Sequence, residues 1–355
     1  MKYFLSLVAI FKNEHSIIKE WIEHYLMEGV DHFYLIDNGS DDAYRPRVEP
    51  YLNTKQIEIA IDPTPHMQTA HYNNYYLRRI KEESEWIMVV DLDEFMYARK
   101  GYRKISDYLR TLNDQVVQVY VPWKLFGSSG FLEQPVNCIE SFTRRTQYNH
   151  VKTNGMISTE LMFVKTLSRT QTLTQLGIHS SCHGLNFLEI TSDGVNANRT
   201  DPSHQVITEQ SLEASAIHCN HYPIQSFDWF YRVKMTRGSA NVAKNDHVRN
   251  IGYFNSFDIH SNQIDDHELK NKRAVGVAFY YGVGHDHYVN VTHQVLSLFM
   301  NPVNGQVKID RSVVFNHHFG DPAPDVEKYF IVQQANHLCI YPETDHGDLI
   351  IKTFM

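Results

Sequence analysis

The sequence predicts an α/β protein built on a doubly wound, mostly parallel sheet with helices on both faces, followed by a small all-β domain. Three observations carry this prediction. Strand-like and helix-like segments alternate over the first third of the 355-residue chain, which is the rhythm of βαβ units. The apolar runs there are short and continuous, as in strands that are buried on both faces. From about Ala274 the pattern changes to short β-like runs separated by turns.

The elements of the first part follow one another in order. Strands are predicted over Tyr3–Phe11, His32–Ile36, Ile57–Ile61 and Trp86–Val90, and helices over Glu14–Glu28 and Thr69–Glu82. The first helix has apolar residues at helical spacing, and Gly29 is expected to end it. Beyond about residue 128 the pattern loosens, apart from a helix expected over Ser226–Val242. The polar linker "HSNQIDDHELKNKR" then separates a first domain, 1–265, from a second, 274–355.

Composition excludes several classes of protein. Hydrophobic residues make up 42% of the chain and charged residues 21%, which excludes collagen-like and disordered chains. A formal net charge of −8 argues against a broad surface for nucleic acid. The four cysteines are far apart and form no CxxC pair, so we expect a reducing compartment and no zinc knuckle. No cleavable leader or stretch of about 18 apolar residues is found, so we expect a cytoplasmic protein.

Acidic residues follow two of the predicted strands. Asp91-Leu92-Asp93-Glu94 comes after "WIMVV", and Asp37-Asn38 comes after "FYLI". Residues two apart on a strand share a face, so Asp91 and Asp93 are expected to converge on one cation. Two carboxylates with open positions suit Mn²⁺ or Mg²⁺ holding a diphosphate. The alternative for both acidic clusters is a helix cap or a solvated turn.

Four further residues are candidates for the same edge of the sheet. Asn13 follows the first strand, where it is either a helix N-cap or part of a ligand pocket. His221 in "HCNHY" is a candidate third ligand, since a neutral imidazole binds Mn²⁺. Lys234 and Arg237 share a helical face and either contact phosphate or form a solvated surface.

The order of these pieces along the chain resembles a known family. The matching pieces include "FKNE", "EWIEHYLMEGVDHFYLIDNGSDD", "EWIMVVDLDEFMYA", "WKLFGSSG" and "HCNHYPIQSFDWFYRVKMTRGSA", within about residues 4–243. The chain is similar to glycosyltransferases of the GT-A fold and, more narrowly, to the glycosyltransferase family 2-like group related to family 92. The resemblance divides the first domain into a nucleotide-sugar and metal half, 1–125, and an acceptor half, 126–265.

The resemblance implies a reaction and a set of roles. The reaction is metal-dependent transfer of a sugar, expected to be a hexose from a UDP-sugar, to a hydroxyl of a glycan or glycolipid acceptor in bacterial surface polysaccharide or lipopolysaccharide synthesis. Donor-binding positions are Phe11, Asn13, Glu14, Asp37, Asn38, Gln68, Asn74, Asp91, Leu92 and Lys234, metal ligands are Asp91, Asp93 and His221, and acceptor-side positions are Trp123, Phe126, Gly127 and Ser128. Glu94 and Phe95 complete the family's "DxDEF" signature.

The catalytic base stays open, and with it the expected inversion at the transferred sugar. Family 2 inverting enzymes place a catalytic carboxylate in an acidic pair of the second half, and no clear equivalent is found. The candidates are Glu133, Glu140, Asp201 and Asp228.

Two other functions stay open. One is a non-catalytic glycan-binding protein of the same fold, because no base stands out. The other is a haloacid-dehalogenase-type phosphatase with Asp91 as nucleophile and Asp93 as acid, although that chemistry normally has Thr or Val at the position of Phe95. The C-terminal residues resemble a small β-domain appended to bacterial carbohydrate-related proteins. Peripheral contact with the inner face of the cell membrane is compatible with the expected location.

Overall fold

The computed structural model describes residues 1–148, 151–153, 156–158, 160–184, 187–237, 240, 249–275, 277–283, 287–299, 306–324, 326–334, 337–344 and 347–352. These residues form a mixed α/β fold around one large sheet, which confirms the predicted fold class. The last part of the helix predicted over Ser226–Val242 lies outside the described residues.

The large sheet joins strands from across the first 221 residues. In spatial order its strands are Ile57–Ile61, His32–Asp37, Tyr3–Phe11, Ser84–Val89, Glu160–Arg169, Val116–Leu125, Ile217–His221 and Glu94–Ala98, with Leu188–Thr191 paired to Val116–Leu125 and His204–Ile207 paired to Glu160–Arg169. The first four strands in this order are parallel. Glu160–Arg169 is antiparallel to both of its neighbours in the sheet. The sheet therefore has a parallel half of the predicted kind and a mixed half.

The strands of the parallel half have nearly the predicted bounds. Tyr3–Phe11 and Ile57–Ile61 agree at both ends, and His32–Asp37 is one residue longer than predicted. Ser84–Val89 begins two residues earlier than predicted and ends one residue earlier. Side chains of Tyr3–Phe11 are buried from its third residue onward, on both faces. A strand covered on both sides needs apolar residues at successive positions, which is why this run is continuous.

The first helix is shorter than predicted. It spans Ile18–Met27, because residues 15–17 form a turn before it. Gly29 follows the helix with a φ of 88°, a left-handed conformation that glycine adopts without strain. The predicted end of this helix is therefore confirmed.

The second predicted helix is two helices. Gln68–Tyr75 and Leu77–Glu83 are separated at Tyr76, whose φ is −128°. The Tyr76 hydroxyl donates to the carbonyl oxygen of Leu35 over 2.8 Å and accepts from the N–H of Ala60 at 3.0 Å. The sheet holds the break in place, and this long-range contact leaves no local sequence signal.

The other elements are short. The remaining helices are Arg45–Asn53, Ile105–Thr111, Cys138–Ser141, Glu209–Ala214, Phe227–Trp229, Met235–Arg237, Ile251–His260, Glu268–Val275, Thr292–Phe299 and Phe315–Phe319, and Phe230–Lys234 is a π-helix. Short strands at Arg144–Arg145, Val151–Thr153, Met156–Ser158, Leu173–Gln175, Cys182–His183 and Ile264–Asp265 pair outside the large sheet.

The C-terminal segment contains small β-sheets, as predicted. Val277–Val283, His287–Asn290, Tyr329–Gln334 and His337–Pro342 form one sheet, and Gln306–Ile309 and Leu349–Lys352 form another. The prediction of strands alone was wrong, because Thr292–Phe299 and Phe315–Phe319 are helices. Apolar residues at Val295, Leu298 and Phe299 have the helical spacing that explains the first of these.

The hydrophobic core continues from the large sheet into the C-terminal segment. Buried Phe279 and Tyr281 belong to the same cluster as Trp21 and Trp86 of the α/β part. Helix Thr292–Phe299 contacts the first helix of the chain. The division into domains at 265 and 274 therefore stays a prediction.

Two further observations concern the expectations on membrane and redox state. Within the described ranges, no helix is long and apolar enough to cross a bilayer. All four cysteines are free thiols; Cys138 and Cys219 are buried, and Cys182 and Cys339 are exposed.

Candidate active site

The acidic residues after the strand Ser84–Val89 lie in a tight turn. The N–H of Glu94 donates to the carbonyl oxygen of Asp91 over 3.1 Å. The indole N–H of Trp21 reaches the carbonyl oxygens of both residues, at 3.0 and 3.1 Å. The first helix, which carries Trp21, thus fixes the shape of the turn. Because Asp91 and Asp93 lie in a turn and not on a strand, the expectation that they share a strand face was wrong.

Asp91 is held by two residues from other elements. Its Oδ1 accepts from Nε2 of Gln68 at 3.1 Å, and its Oδ2 accepts from the ammonium of Lys165 at 2.9 Å. Burial favours the neutral acid, but Lys165 outweighs this effect and lowers the pKa of Asp91. Asp91 is therefore an ionised carboxylate with both oxygens engaged.

Asp93 has different partners. Its Oδ2 accepts a hydrogen bond from the ammonium of Lys234, and its Oδ1 lies 3.6 Å from Nε2 of His221. Burial works to raise the pKa of Asp93, but Lys234 and His221 outweigh it and hold the pKa well below its usual value. The turn thus presents a second ionised carboxylate, buried and 4% exposed.

Three side chains of the described residues could hold a metal ion together. Asp93, Glu94 and His221 each offer one ligand atom, and these atoms lie within 4.8 Å of one another. All three residues are buried, and Oε1 of Glu94 and Nδ1 of His221 have no hydrogen-bond partner in the described part of the chain. Buried polar atoms are normally paired. Two carboxylates and one imidazole are therefore a donor set that fits a divalent cation.

Burial sets the protonation of Glu94 and His221. It raises the pKa of Glu94 well above the usual value, although the ammonium of Lys165, 3.3 Å away, acts in the opposite direction. It lowers the pKa of His221, with Asp93 opposing. A neutral imidazole is the form that binds metal ions. Sequence reasoning treated Glu94 only as part of a signature and missed it as a candidate ligand.

Lys165 is the charged residue that sequence reasoning missed altogether. It lies on Glu160–Arg169 and is fully buried, 0% exposed. Burial disfavours its charged form, but Asp91 and Glu94 outweigh burial and raise its pKa. The available signal was a lysine within the apolar run "LMFVKTL", because a buried ammonium requires carboxylate partners.

Lys234 and Arg237 both face acidic residues. Lys234 ends the π-helix Phe230–Lys234 and pairs with Asp93, while the guanidinium of Arg237 donates to the carboxylate of buried Glu14. Their side chains are 9% and 13% exposed. The alternative of a solvated helix face was therefore wrong for both residues.

The turn after the second strand is tied to the end of the first. The carbonyl oxygen of Phe11 accepts from the N–H of Asn38 at 2.8 Å, and the amide of Asn38 donates to the carbonyl oxygen of Asp62 at 2.7 Å. Each carboxylate oxygen of Asp37 accepts one hydrogen bond, Oδ2 from the hydroxyl of Tyr44 at 2.9 Å. A carboxylate oxygen has a second lone pair, so Asp37 can still accept from a ligand.

Asn13 links these two strand ends. Its φ of 57° is left-handed, and its Oδ1 accepts from the N–H of Asp41 at 2.9 Å. The N-cap of the first helix is Ile17, so the alternative of Asn13 as that cap was wrong.

The remaining donor-side positions are placed differently from one another. Gln68 contacts the acidic turn through Asp91. Asn74 is exposed on another face of the same helix. Leu92 lies between the two aspartates, but its side chain is 2% exposed and packs in the hydrophobic core.

Of the acceptor-side positions, Trp123 and Phe126 lie beside His221. The ring centroids of Trp123 and His221 are 4.1 Å apart, and the N–H of Phe126 donates to the carbonyl oxygen of His221 over 2.9 Å. The N–H groups of Gly127 and Ser128 donate to acceptors at the C-terminal end of a neighbouring helix. These two residues anchor the segment that follows Trp123.

The candidate bases are not joined to this site. Within the part of the chain that the structure describes, no hydrogen bond or ion pair connects them to the acidic turn. Asp201 and Asp228 form ion pairs within their own surface segments, at 3.0 and 2.6 Å, and Glu133 and Glu140 are exposed. The geometry leaves the base unassigned.

Comparison with known proteins identifies the family. The family model for glycosyltransferase family 92 matches residues 5–250. The chain belongs to glycosyltransferase family 92. A family 92 protein of Arabidopsis thaliana is 26% identical over 128 residues, which are 36% of this chain and 22% of that protein. One of Oryza sativa subsp. japonica is 26% identical over 138 residues, 37% of this chain and 23% of that protein. The chain thus spans less than a quarter of the length of these relatives.

This family 92 protein also has low similarity to solved structures. Staphylococcus aureus TarS 1–349 in complex with UDP-GlcNAc has 16% identity and a TM-score of 0.30, over 47% of this chain and 45% of that chain. Glucosyl-3-phosphoglycerate synthase of Mycobacterium tuberculosis, with Mn²⁺ and UDP-glucose, has 15% identity and a TM-score of 0.25, over 56% and 72%.

In this family 92 chain, three cationic side chains pair with acidic residues at or near the buried turn. Lys165 pairs with Asp91, Lys234 pairs with Asp93, and Arg237 pairs with Glu14. Alternating buried charges of this kind suit a ligand that itself combines a cation with a polyanion.

Proposed function

We propose that this chain transfers a sugar from a nucleotide sugar, in the first instance a UDP-sugar, to a hydroxyl of a glycan or glycolipid. The observation that carries the proposal is the buried group of Asp93, Glu94 and His221 where the fourth parallel strand ends. Ligands of open α/β sheets bind beyond the carboxyl ends of the strands. Membership of glycosyltransferase family 92 supports the class of reaction.

A divalent cation, Mn²⁺ or Mg²⁺, would be held by Asp93, Glu94 and His221, with Asp91 completing the acidic face of the site. The unpaired Oε1 of Glu94 and Nδ1 of His221 support this assignment, as does the low pKa of Asp93, which burial opposes and Lys234 causes. When bound, the ion supplies stabilisation of the negative charge on the departing diphosphate.

Lys234 and Arg237 bind the diphosphate in this proposal. Both are nearly buried and are now paired with Asp93 and Glu14. Phosphate oxygens offer a guanidinium two parallel hydrogen bonds and offer an ammonium a point contact. A diphosphate can therefore take both residues as partners where a cation balances Asp93.

The nucleoside is assigned to the end of the first two strands. Asp37 retains a lone pair on each oxygen for a base N–H or a ribose hydroxyl, and the backbone near Phe11 and Asn13 forms the adjoining edge. Trp123 beside His221 supports an acceptor position next to the metal group. Neither inversion at the transferred sugar nor a catalytic base is part of this proposal. The proposed product is a bacterial surface polysaccharide, made at the cytoplasmic side of the membrane.

The test is the release of nucleoside diphosphate from a panel of UDP-, GDP- and CMP-sugars, with Mn²⁺ and with EDTA. We expect metal-dependent release from one donor, lost in Asp93→Asn. Asp114→Asn is the matched control, because the side chain of Asp114 is fully exposed at 102%, and it should behave as wild type.

Other outcomes would contradict the proposal. Hydrolysis of p-nitrophenyl phosphate without turnover of any donor would favour the phosphatase alternative, with Asp91 as nucleophile. Binding of glycans without turnover of donor or phosphate ester would favour the non-catalytic alternative.

A further inference from the structure

One face of the strand Glu160–Arg169 runs from the surface into the candidate site. Successive side chains of a strand alternate between its faces, so Leu161, Phe163 and Lys165 share one face. Leu161 is 58% exposed, Phe163 is 39% exposed and Lys165 is 0% exposed. One row of side chains thus leads from solvent to the ammonium that pairs with Asp91.

The neighbouring strand His204–Ile207 widens this face. In the antiparallel register, Phe163 is opposite His204 and Leu161 is opposite Val206. The ring centroids of Phe163 and His204 are 4.0 Å apart, and Val206 is 44% exposed. Two strands therefore present a partly exposed surface of two aliphatic side chains, one phenyl ring and one imidazole, and the imidazole of His204 pairs with Asp201.

Trp123 connects this surface to the proposed metal group. Its ring centroid lies 5.4 Å from that of Phe163 and 4.1 Å from that of His221. We call Leu161, Phe163, Trp123, His204 and Val206 the aromatic strip. Ring contacts lead from partly exposed Phe163 through Trp123 to buried His221, and Leu161 lies beyond Phe163 on the same strand face.

The inner end of the aromatic strip carries an unpaired polar atom and borders the proposed metal group. Nε1 of Trp123 is buried and has no hydrogen-bond partner in the described residues, and the neighbouring His221 belongs to the proposed metal group. His221 is 8% exposed. Leaving buried polar atoms unpaired is costly, so a ligand that can hydrogen-bond at this end is favoured.

We propose that the aromatic strip binds the acceptor saccharide, an inference that rests on the proposed function. Apolar walls with a few polar atoms are the usual lining of small-ligand sites, and the C–H face of a sugar ring suits aromatic side chains. A hydroxyl both donates and accepts, so its oxygen can accept from the indole N–H of Trp123. A lipid chain or an apolar surface of a second copy would leave this N–H unpaired.

Phe163 is the residue that the inference singles out. It precedes Lys165 by two residues, which is about 6.8 Å along a strand. A saccharide ring on Phe163 would therefore lie outside the acidic turn, with its neighbouring ring at the turn. The aromatic strip would select the acceptor, while the groups around Asp93 bind the donor.

The experiment measures binding of the full chain to an array of bacterial and synthetic glycans, free of donor and metal. The variants are Phe163→Ala, Phe163→Trp and Leu161→Ser. Leu298→Ser is the matched control for Leu161→Ser, since Leu298 is 54% exposed on a helix of the C-terminal segment. Thermal unfolding of each variant confirms that it is folded.

We expect the wild-type chain to bind a subset of glycans, and Phe163→Ala to weaken that binding about tenfold. Phe163→Trp, which keeps a ring, and Leu298→Ser should bind within about twofold of wild type. Leu161→Ser should fall between Phe163→Ala and the control.

Several results would overturn the inference. The first two are a wild-type chain that binds no glycan and a folded Phe163→Ala variant that binds glycans as well as the wild-type chain does. The other two are a Phe163→Ala variant that loses binding to vesicles but not to glycans, and a wild-type dimer that Phe163→Ala dissociates. Donor turnover distinguishes the two proposals. A wild-type chain that releases nucleoside diphosphate while Phe163→Ala binds glycans normally would refute the aromatic strip and leave the proposed function standing.

Discussion

The ammonium of Lys234 donates a hydrogen bond to Oδ2 of Asp93, 141 residues earlier in the chain. Burial disfavours the charge on Lys234 and lowers its pKa, with Asp93 opposing. Burial likewise works against the Asp93 carboxylate, but Lys234 and His221 outweigh it and keep the pKa of Asp93 low. The ion pair therefore keeps the Asp93 carboxylate charged in a buried turn, and the charged form is the one that can bind a metal ion.

Replacing Lys234 by Met is expected to lower donor turnover by about tenfold or more, because the change removes a proposed diphosphate contact. The assay is nucleoside diphosphate release as a function of donor concentration. Lys308→Met is the control, since Lys308 is exposed on the strand Gln306–Ile309. Equal turnover in Lys234→Met and Lys308→Met would refute the phosphate role of Lys234.

Replacing Lys165 by Met is expected to destabilise the fold by about 3–5 kcal/mol, because it leaves the ionised carboxylate of Asp91 without its cation. Urea unfolding measures this. Arg78→Met is the matched control. Its side chain is 89% exposed and pairs with Glu82 at 2.9 Å, so the change should cost under about 1 kcal/mol.

Adding Asp91→Asn to Lys165→Met should recover part of the lost stability, because it removes the ionised carboxylate that pairs with Lys165. A Lys165→Met variant as stable as Arg78→Met would show that the buried pairs contribute little.

Acid should remove a contribution of Asp266 to stability. Its Oδ2 lies 2.7 Å from both Nζ of Lys124 and Nε of Arg145. Burial works to raise the pKa of Asp266, but Lys124 and Arg145 outweigh it and lower the pKa to about 2. Because the folded pKa is below the unfolded value of about 3.9, this stabilisation is complete above about pH 4 and is lost as the pH falls toward 2.

Urea unfolding of the wild-type chain and of Asp266→Asn at several pH values tests this. Asp266→Asn should cost about 2–3 kcal/mol at pH 7. The difference should shrink steadily below about pH 4. A difference that stays constant from pH 7 to the lowest pH at which the chain folds would contradict the assigned ion pairs.

Two glycines with nearly the same backbone conformation allow the cost of backbone strain to be separated from the cost of a steric clash when each is replaced by alanine. Gly29 has a φ of 88° and Gly101 a φ of 85°, but a Cβ on Gly29 would lie 2.2 Å from Oγ of Ser106, whereas one on Gly101 would meet nothing within 4 Å. Gly101→Ala should cost about 1 kcal/mol, and Gly29→Ala about 1–3 kcal/mol more. Thermal unfolding compares them, and equal losses would show that Ser106 moves away freely.

The parallel half of the sheet could be predicted because burial on both faces leaves a local signal. Tyr3–Phe11 is a continuous apolar run of this kind, and its bounds agree with the structure. The bounds of Ile57–Ile61 also agree, although this edge strand is only partly buried. Glu160–Arg169 has no such signal for its place in the sheet. Its antiparallel pairing with Ser84–Val89 joins residues far apart in the chain, and register over that distance is set by tertiary packing.

The candidate site, like the sheet, could be predicted from the sequence only in part. Asp91 and Asp93 could be placed at a strand end from the run "WIMVV" before them. Lys234 was expected at the same edge, but its ion pair with Asp93 across 141 residues was not predicted, and Lys165, 74 residues from Asp91, was missed. Glu94 was missed as a candidate ligand because its side chain turns inward only when the strand Glu94–Ala98 joins the sheet beside His221.

Titration of Mn²⁺ in the presence of UDP, followed by electron paramagnetic resonance, tests the central claim most directly. The account predicts one bound Mn²⁺ per chain, with affinity reduced at least about tenfold in Asp93→Asn and in Glu94→Gln, and unchanged in Asp114→Asn. Equal Mn²⁺ affinity in the wild-type chain, Asp93→Asn and Glu94→Gln would contradict the assignment of the metal to this turn.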